Sequence, residues 1–287
     1  MLTGIFQAEI CELKEFKNLF IELTEKNCNQ RCKHCYIDFP INKNVKDFIP
    51  IDLVKKALED TKNENIACLY LTGAEPMTHP DFNSILRLCL TYNNVCICTN
   101  SSFINEKKAR FLRKVQDESN YEIIFKLSLD HYDEMKNDNV RSRGSYRQVL
   151  HAIKHLIKYG FNPILEITNY YQEDTNILKE NFKRILKETG FDADNKNLCI
   201  NEWFDKTNKN QEIETTKINS RLDCEYGRIL TAKGVYTCPF LANDYRGRCG
   251  NDFSDYSHKN TLESEYCNTC LKNKRQVFGI NFTDFIN

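Results

Sequence analysis

Short apolar runs alternate along most of this chain with longer stretches in which apolar residues recur every three or four positions. The runs fall at 18–25, 65–72, 94–99, 122–130, 162–168 and 197–204. They are short and rich in β-formers, the pattern of parallel strands covered on both faces. The amphipathic stretches near 51–63, 80–92, 105–118, 145–159 and 175–189 predict helices. In the fourth of these, Tyr146, Val149, Leu150, Ile153, Leu156 and Ile157 share one face, and Gly160 stands where a helix C-cap is expected. Strand and helix in repeated alternation predict an α/β fold with a parallel sheet and right-handed crossovers. In barrels built this way the chemistry sits at the carboxyl ends of the strands.

The alternation breaks at 205–220, an almost wholly polar stretch that reads as a linker or exposed loop. The expected organisation is one α/β domain over 1–205, a linker over 206–220 and a small cysteine-rich domain over 221–287. That last segment holds too few apolar residues for a core of its own, so a metal staple is expected there. A chain of 287 residues suffices for one large domain and such an appendage. Acidic and basic residues number 40 each, which offers no basic field to nucleic acid. No run approaches the roughly 20 apolar residues of a membrane helix, and the amino terminus lacks a basic-then-apolar export pattern. A soluble, cytoplasmic protein in a reducing, anaerobic setting is the expectation, with its 14 cysteines serving as thiols or metal ligands.

Three of those cysteines, Cys28, Cys32 and Cys35, stand at x3 and x2 spacing directly after the first strand run. Three thiolates are one short of the four that close a [4Fe–4S] cube, which leaves one iron open to an exogenous ligand. Structural zinc, with Cys267 and Cys270 as the second pair, is the competing reading and leaves Cys28 unexplained. The spacing resembles the signature of the radical S-adenosylmethionine (SAM) superfamily. That resemblance implies a partial (β/α)6 TIM-type barrel and a three-cysteine [4Fe–4S] cluster whose open iron is chelated by the amino and carboxylate groups of SAM. It further implies reductive cleavage of SAM to a 5′-deoxyadenosyl radical that abstracts hydrogen from a C–H bond, and a one-electron reductant such as flavodoxin or ferredoxin.

Further motifs carry the same resemblance. Gly73, Ala74, Glu75 and Pro76, at the end of the second strand, resemble the family's Gly-Gly-Glu-Pro element, which contacts the SAM amino group. Thr99 and Asn100 are similar to its Thr-Asn element. Ser128 and Asp130, on one face of the fourth strand, are similar to a Ser-x-Asp pair that meets the ribose or methionyl part. Arg141 or Arg143, before Gly144, is expected to pair with the SAM carboxylate as a planar fork, and the spacing does not choose between them. Tyr36 and His34 are expected beside the adenine. His151 and His155 read as a solvated face. Cys11, Cys68, Cys89, Cys96, Cys98 and Cys199 read as small buried hydrophobes. Glu166, Asn169, Glu202 and Trp203, near the last two strand ends, face either substrate or packing.

The tail cysteines resemble the Twitch module, a shortened relative of the SPASM domain, although three residues rather than four separate Gly234 from Cys238. The resemblance implies that Cys224, Cys238, Cys267 and Cys270 hold an auxiliary [4Fe–4S] cluster, with a four-cysteine zinc site as the alternative that the ligand set alone leaves open. Cys249 is then left over, as a catalytic hydrogen-atom donor like that of radical SAM epimerases, as an alternate ligand, or as a bystander. By resemblance the substrate is a ribosomally made peptide, epimerised or oxidatively crosslinked. Cys28 lies too near the amino terminus to leave room for an amino-terminal peptide-recognition domain, which keeps a small molecule such as an amino sugar as the alternative. The remote alternative is a zinc-stabilised, non-catalytic binding protein.

Overall fold

A computed structural model describes residues 10–39, 47–194, 196–203, 222–262, 264–273 and 276–280. The expected linker at 206–220 lies outside these residues. After a short β1 (Ile10–Glu12) the chain runs β2 (Asn18–Thr24), α1 (Ile51–Asp60), β3 (Cys68–Gly73), α2 (Phe82–Cys89), β4 (Val95–Thr99), α3 (Glu106–Asp117) and β5 (Ile123–Ser128). It continues through α4 (Glu134–Val140), α5 (Ser145–Lys158), β6 (Ile164–Asn169), α6 (Thr175–Lys187) and β7 (Leu198–Glu202). Strands β2 to β7 are parallel neighbours in sequence order, as the alternation predicts. This is the partial (β/α)6 barrel architecture.

Both faces of these strands are covered, which is why they read as unbroken apolar runs. One face carries Leu19, Ile21, Leu69, Leu71, Val95, Ile97, Phe125 and Leu127 into a core shared with Val54, Leu86, Leu112, Val149 and Phe182 of the helices. The opposite face gathers Phe20, Cys68, Tyr70, Cys96 and Ile164 into a second, inner core. Small thiols on that face limit how far the interior fills with side chain.

The tail adds α7 (Asp223–Tyr226), β8 (Gly227–Thr231), β9 (Gly234–Tyr236), β10 (Arg248–Asp252), β11 (Asp255–Tyr256), β12 (Lys259–Thr261) and α8 (Cys267–Asn273). It extends the barrel's own sheet: β8 pairs parallel with β2, and β9, β10 and β11 follow antiparallel, giving ten strands. Gly227 permits that junction, since a Cβ there would meet the Asn18 carbonyl at 2.8 Å. Residues 276–280 then cross the inner face without forming a strand. Their backbone N–H groups are taken up by side chains: the Asp223 carboxylate accepts from Val277, Phe278 and Gly279, and the Tyr70 hydroxyl accepts from Ile280.

Candidate functional site

Cys28, Cys32 and Cys35 share one cavity with residues from the carboxyl ends of β3 to β7, the end where the fold is expected to do chemistry. The cavity encloses about 1240 Å³ of free space, including its mouth. Its cysteine loop is held from several sides. The Asn100 side-chain amide donates to Asn29 Oδ1 at 2.9 Å and reaches Cys28 Sγ at 3.6 Å. The backbone N–H groups of Ala74 and Glu75 donate to Thr24 and Asn27. Gly73 has φ of +111°, and a Cβ there would stand 2.3 Å from the Thr24 carbonyl, so glycine is required by the approach of this strand to the loop.

The four residues expected to meet the SAM amino group divide. Gly73 and Ala74 line the cavity, whereas Glu75 and Pro76 are buried behind it. Glu75 accepts from Met77 N at 3.1 Å, Thr99 Oγ1 at 2.8 Å and Asn100 N at 2.8 Å, clasping the ends of β3 and β4 and setting Asn100 against the loop. Burial pushes its carboxyl up to about 7 despite these donors.

Asp130 forms the centre of a buried charge network. Its Oδ2 lies 2.7 Å from His34 Nε2 and accepts from Arg141 Nη1 at 2.7 Å, and its Oδ1 accepts from Thr168 N at 3.0 Å. Burial alone would raise this carboxyl, but His34 and Arg141 hold it well below its ordinary range. Arg141 also donates from Nε to Gln30 Oε1 at 3.3 Å. The two arginines that the sequence does not distinguish are placed differently: Arg141 is buried in the cavity wall, and Arg143 is exposed and does not join it. The turn between α4 and α5 separates them, with the Asp138 carboxylate accepting from Gly144 N and Tyr146 N.

Ser128, Asn100 and Tyr36 line the cavity. The Tyr36 ring meets Phe240 and Phe278 of the tail edge-on, with centroids 5.3 and 5.8 Å away. Glu166, Glu202 and Trp203 also line it, but Asn169 does not; its side chain is spent on the backbone of Glu173. Lys126, Thr269 and Phe240 are among the contributors that escape a reading of the sequence. The buried Lys126 ammonium lies 2.8 Å from Glu166 Oε2 and donates to the Val277 and Phe278 carbonyls at 2.9 and 3.0 Å. The only local signal is a lysine in an apolar strand, a residue type seldom buried without a partner.

The cavity suits the cofactors that the cysteine spacing implies. All three thiols line it, although among the described residues no three such side chains are gathered closely enough for a single metal ion. Burial pushes Cys35 up to about 12, so coordination would be what deprotonates it. The buried Gln30 Nε2 and Thr269 Oγ1 have no partner among the described residues. Buried polar groups left so cost about 1–3 kcal/mol each, a cost that a bound polar group would offset.

Cys224, Cys238, Cys267 and Cys270 line a second, small pocket together with Phe240 and Tyr266. Burial raises the thiols of Cys238, Cys267 and Cys270, and at Cys224 a hydrogen bond to Cys11 raises the thiol most, with burial adding to it. Arg228 beside them is fully buried and makes no ion pair among the described residues, donating to the carbonyls of Cys224, Gly227 and His258. An anionic thiolate centre would supply the missing counter-charge. Phe240 walls both cavities, and its ring stacks on Tyr266 at 5.3 Å. Cys249 is not brought to either one. The β9–β10 ladder turns it towards the helix-side core, with Sγ 3.4 Å from the Thr237 hydroxyl, a placement away from the main cavity that bears on the choice between donor, ligand and bystander. Cys98 lines the main cavity, and Cys11 approaches Cys224, so neither is merely a packed hydrophobe.

A family model described as the Radical SAM superfamily matches residues 25–183. No protein with a curated description matches significantly. Among solved structures, a polyhistidine-tagged protein named anSMEcpe with bound AdoMet is similar over 88% of this chain and 77% of its own, at 16% identity and a TM-score of 0.61. Streptococcus suis SuiB bound to precursor peptide SuiA is similar over 83% of this chain and 63% of its own, at 14% identity and a TM-score of 0.61. SuiB bound to S-adenosylmethionine gives 16% identity, 85% and 62% coverage and a TM-score of 0.59. This chain thus spans less than two thirds of SuiB, and at these identities the likeness is one of fold. Among the described residues no helix is long and apolar enough to cross a membrane. The family match runs from the cysteine loop through most of α6, and on it the chain belongs to the radical SAM superfamily, whose members work through a [4Fe–4S] cluster and SAM.

Proposed function

We propose that this chain is a peptide-modifying radical SAM enzyme whose outcome is oxidation of the substrate. When bound, the cofactors supply a deoxyadenosyl radical at the cysteine loop and, at the tail, an electron acceptor. Cys28, Cys32 and Cys35 would hold the first cluster, and Arg141, fixed by Asp130 and Gln30, is the cation available for the SAM carboxylate. Gly73, Ala74, Asn100 and Ser128 complete the wall around it. Cys224, Cys238, Cys267 and Cys270 would hold the auxiliary cluster. Lys126, paired with Glu166, keeps the tail across the floor and water out of it.

The observation that carries the oxidative reading is the position of Cys249, which faces the helix-side core. A hydrogen-atom donor must reach the substrate, whereas the auxiliary pocket shares Phe240 with the cavity. The choice of a peptide rests on a likeness of fold. A structural neighbour has a precursor peptide bound. The test uses SAM, dithionite and the short peptides encoded beside this gene. The expected result is 5′-deoxyadenosine together with a peptide lighter by two hydrogens, and Cys249→Ala is expected to leave both within about twofold. A product of unchanged mass in ordinary water that gains one deuterium in deuterium oxide, and that is lost in Cys249→Ala, would contradict oxidation in favour of epimerisation.

A further inference from the structure

A fifth thiol adjoins the auxiliary pocket. Cys11 lies in β1, which the antiparallel ladder with β12 holds against the tail, with Cys11 opposite Asn260. The backbone N–H of Leu13 donates to the His258 carbonyl at 2.8 Å and fixes the strand further. The result brings together two buried cysteines 213 positions apart, with Cys11 Sγ 3.0 Å from Cys224 Sγ. Cys224 lines the pocket, while Cys11 stands immediately behind it. Cys11 also packs in one buried cluster with Cys270, with Cys267 at its edge.

Thiolates bound to different irons of one cube stand further apart than this pair, so the two sulfurs are alternatives for a single corner. Buried Arg228 donates to the Cys224 carbonyl from the same side, and its charge serves a thiolate at either position. We propose that Cys11 is an alternate ligand of the auxiliary cluster, able to take the corner otherwise held by Cys224. The proposal rests on the auxiliary-cluster reading. Whichever thiol is not bound remains a hydrogen-bond donor to the one that is, and hydrogen bonds to ligand sulfurs are among the factors that set a cluster's potential. A change of ligand would therefore change the potential of the site while keeping its iron.

The test starts from a parent protein in which Cys28, Cys32 and Cys35 are all alanine, so that only the auxiliary site can hold iron. Iron and sulfide per chain are measured after anaerobic reconstitution, together with the EPR spectrum of the dithionite-reduced protein. The parent is expected to hold about four iron, and Cys224→Ala in that background to keep about four with shifted g-values. Cys238→Ala and the Cys11→Ala/Cys224→Ala pair are expected to lose most of it. If alanine prevents folding, as judged by circular dichroism, Cys224→Val carries the same expectation. Loss of iron from a folded Cys224 variant, or full retention in the double variant, would overturn the role of Cys11. A parent without iron would overturn the auxiliary cluster itself, and Cys11 as its ligand with it.

Discussion

Replacing Asp130 with alanine is expected to abolish SAM cleavage and to destabilise the cluster-free fold by about 3–5 kcal/mol, the usual cost of removing one partner of a buried ion pair. The carboxylate touches His34, Arg141 and the backbone of β6 at once. Its removal leaves the Arg141 guanidinium buried without a counter-charge and frees the cysteine loop from β5. Asp130→Asn keeps the shape and can still accept from Thr168 N, so it should lose cleavage with a smaller loss of stability. Denaturant unfolding supplies the first quantity and 5′-deoxyadenosine yield the second. The pH dependence has a definite sign. Because the folded carboxyl is held below its ordinary 3.8, its contribution is whole above about pH 4 and is lost as pH falls through the lower, folded value. The Asp130→Ala protein should lack that part of the acid dependence. A change of less than about 1 kcal/mol would show the network to be worth no more than an exposed ion pair.

Lys126→Met is expected to cost about as much, again roughly 3–5 kcal/mol, for a different reason. The ammonium is buried, and burial alone would lower its pKa, yet Glu166 outweighs this and holds it charged. Methionine keeps the length of the chain but leaves Glu166 half-buried beside Asn201 without a cation, and leaves two tail carbonyls without their donor. The double variant Lys126→Met/Glu166→Gln removes both charges and should recover part of the loss, the non-additivity expected of partners in contact. Hydrogen exchange at 276–280 should rise in the single variant and substrate turnover should fall, because the tail forms the floor of the cavity. Strictly additive losses, or unchanged exchange in the tail, would contradict a role for this pair in seating it.

The parts of the fold legible in the sequence are those governed by local pattern. The six barrel strands β2 to β7 stand out because each is covered on both faces, and five helices through a single apolar stripe, whereas β8, also parallel, does not. Helix α4 escapes such a reading because Glu134–Val140 is polar, with only Asn137 and Val140 buried; its one signal is Asp133, whose side chain caps Lys136 N. Strand β10, Arg-Cys-Gly-Asn-Asp, is equally polar and exists because β9 offers it an edge. The cysteine loop is legible because three cysteines in eight residues are a local pattern. Arg141 and Arg143 cannot be told apart from sequence, since the direction each takes depends on where α4 ends. The pairs Lys126–Glu166 and Cys11–Cys224 join residues far apart in sequence, and nothing beside either partner marks the other. Gly73 does line the cavity, but its requirement comes from the approach of its own chain at Thr24.

The measurement that tests this account most directly is iron and acid-labile sulfide per chain after anaerobic reconstitution, in the unaltered protein and in the variant with Cys28, Cys32 and Cys35 all changed to alanine. The account predicts about eight iron falling to about four, with SAM cleavage lost in the variant. Zinc in place of iron, or an iron content that the triple substitution leaves unchanged, would contradict it.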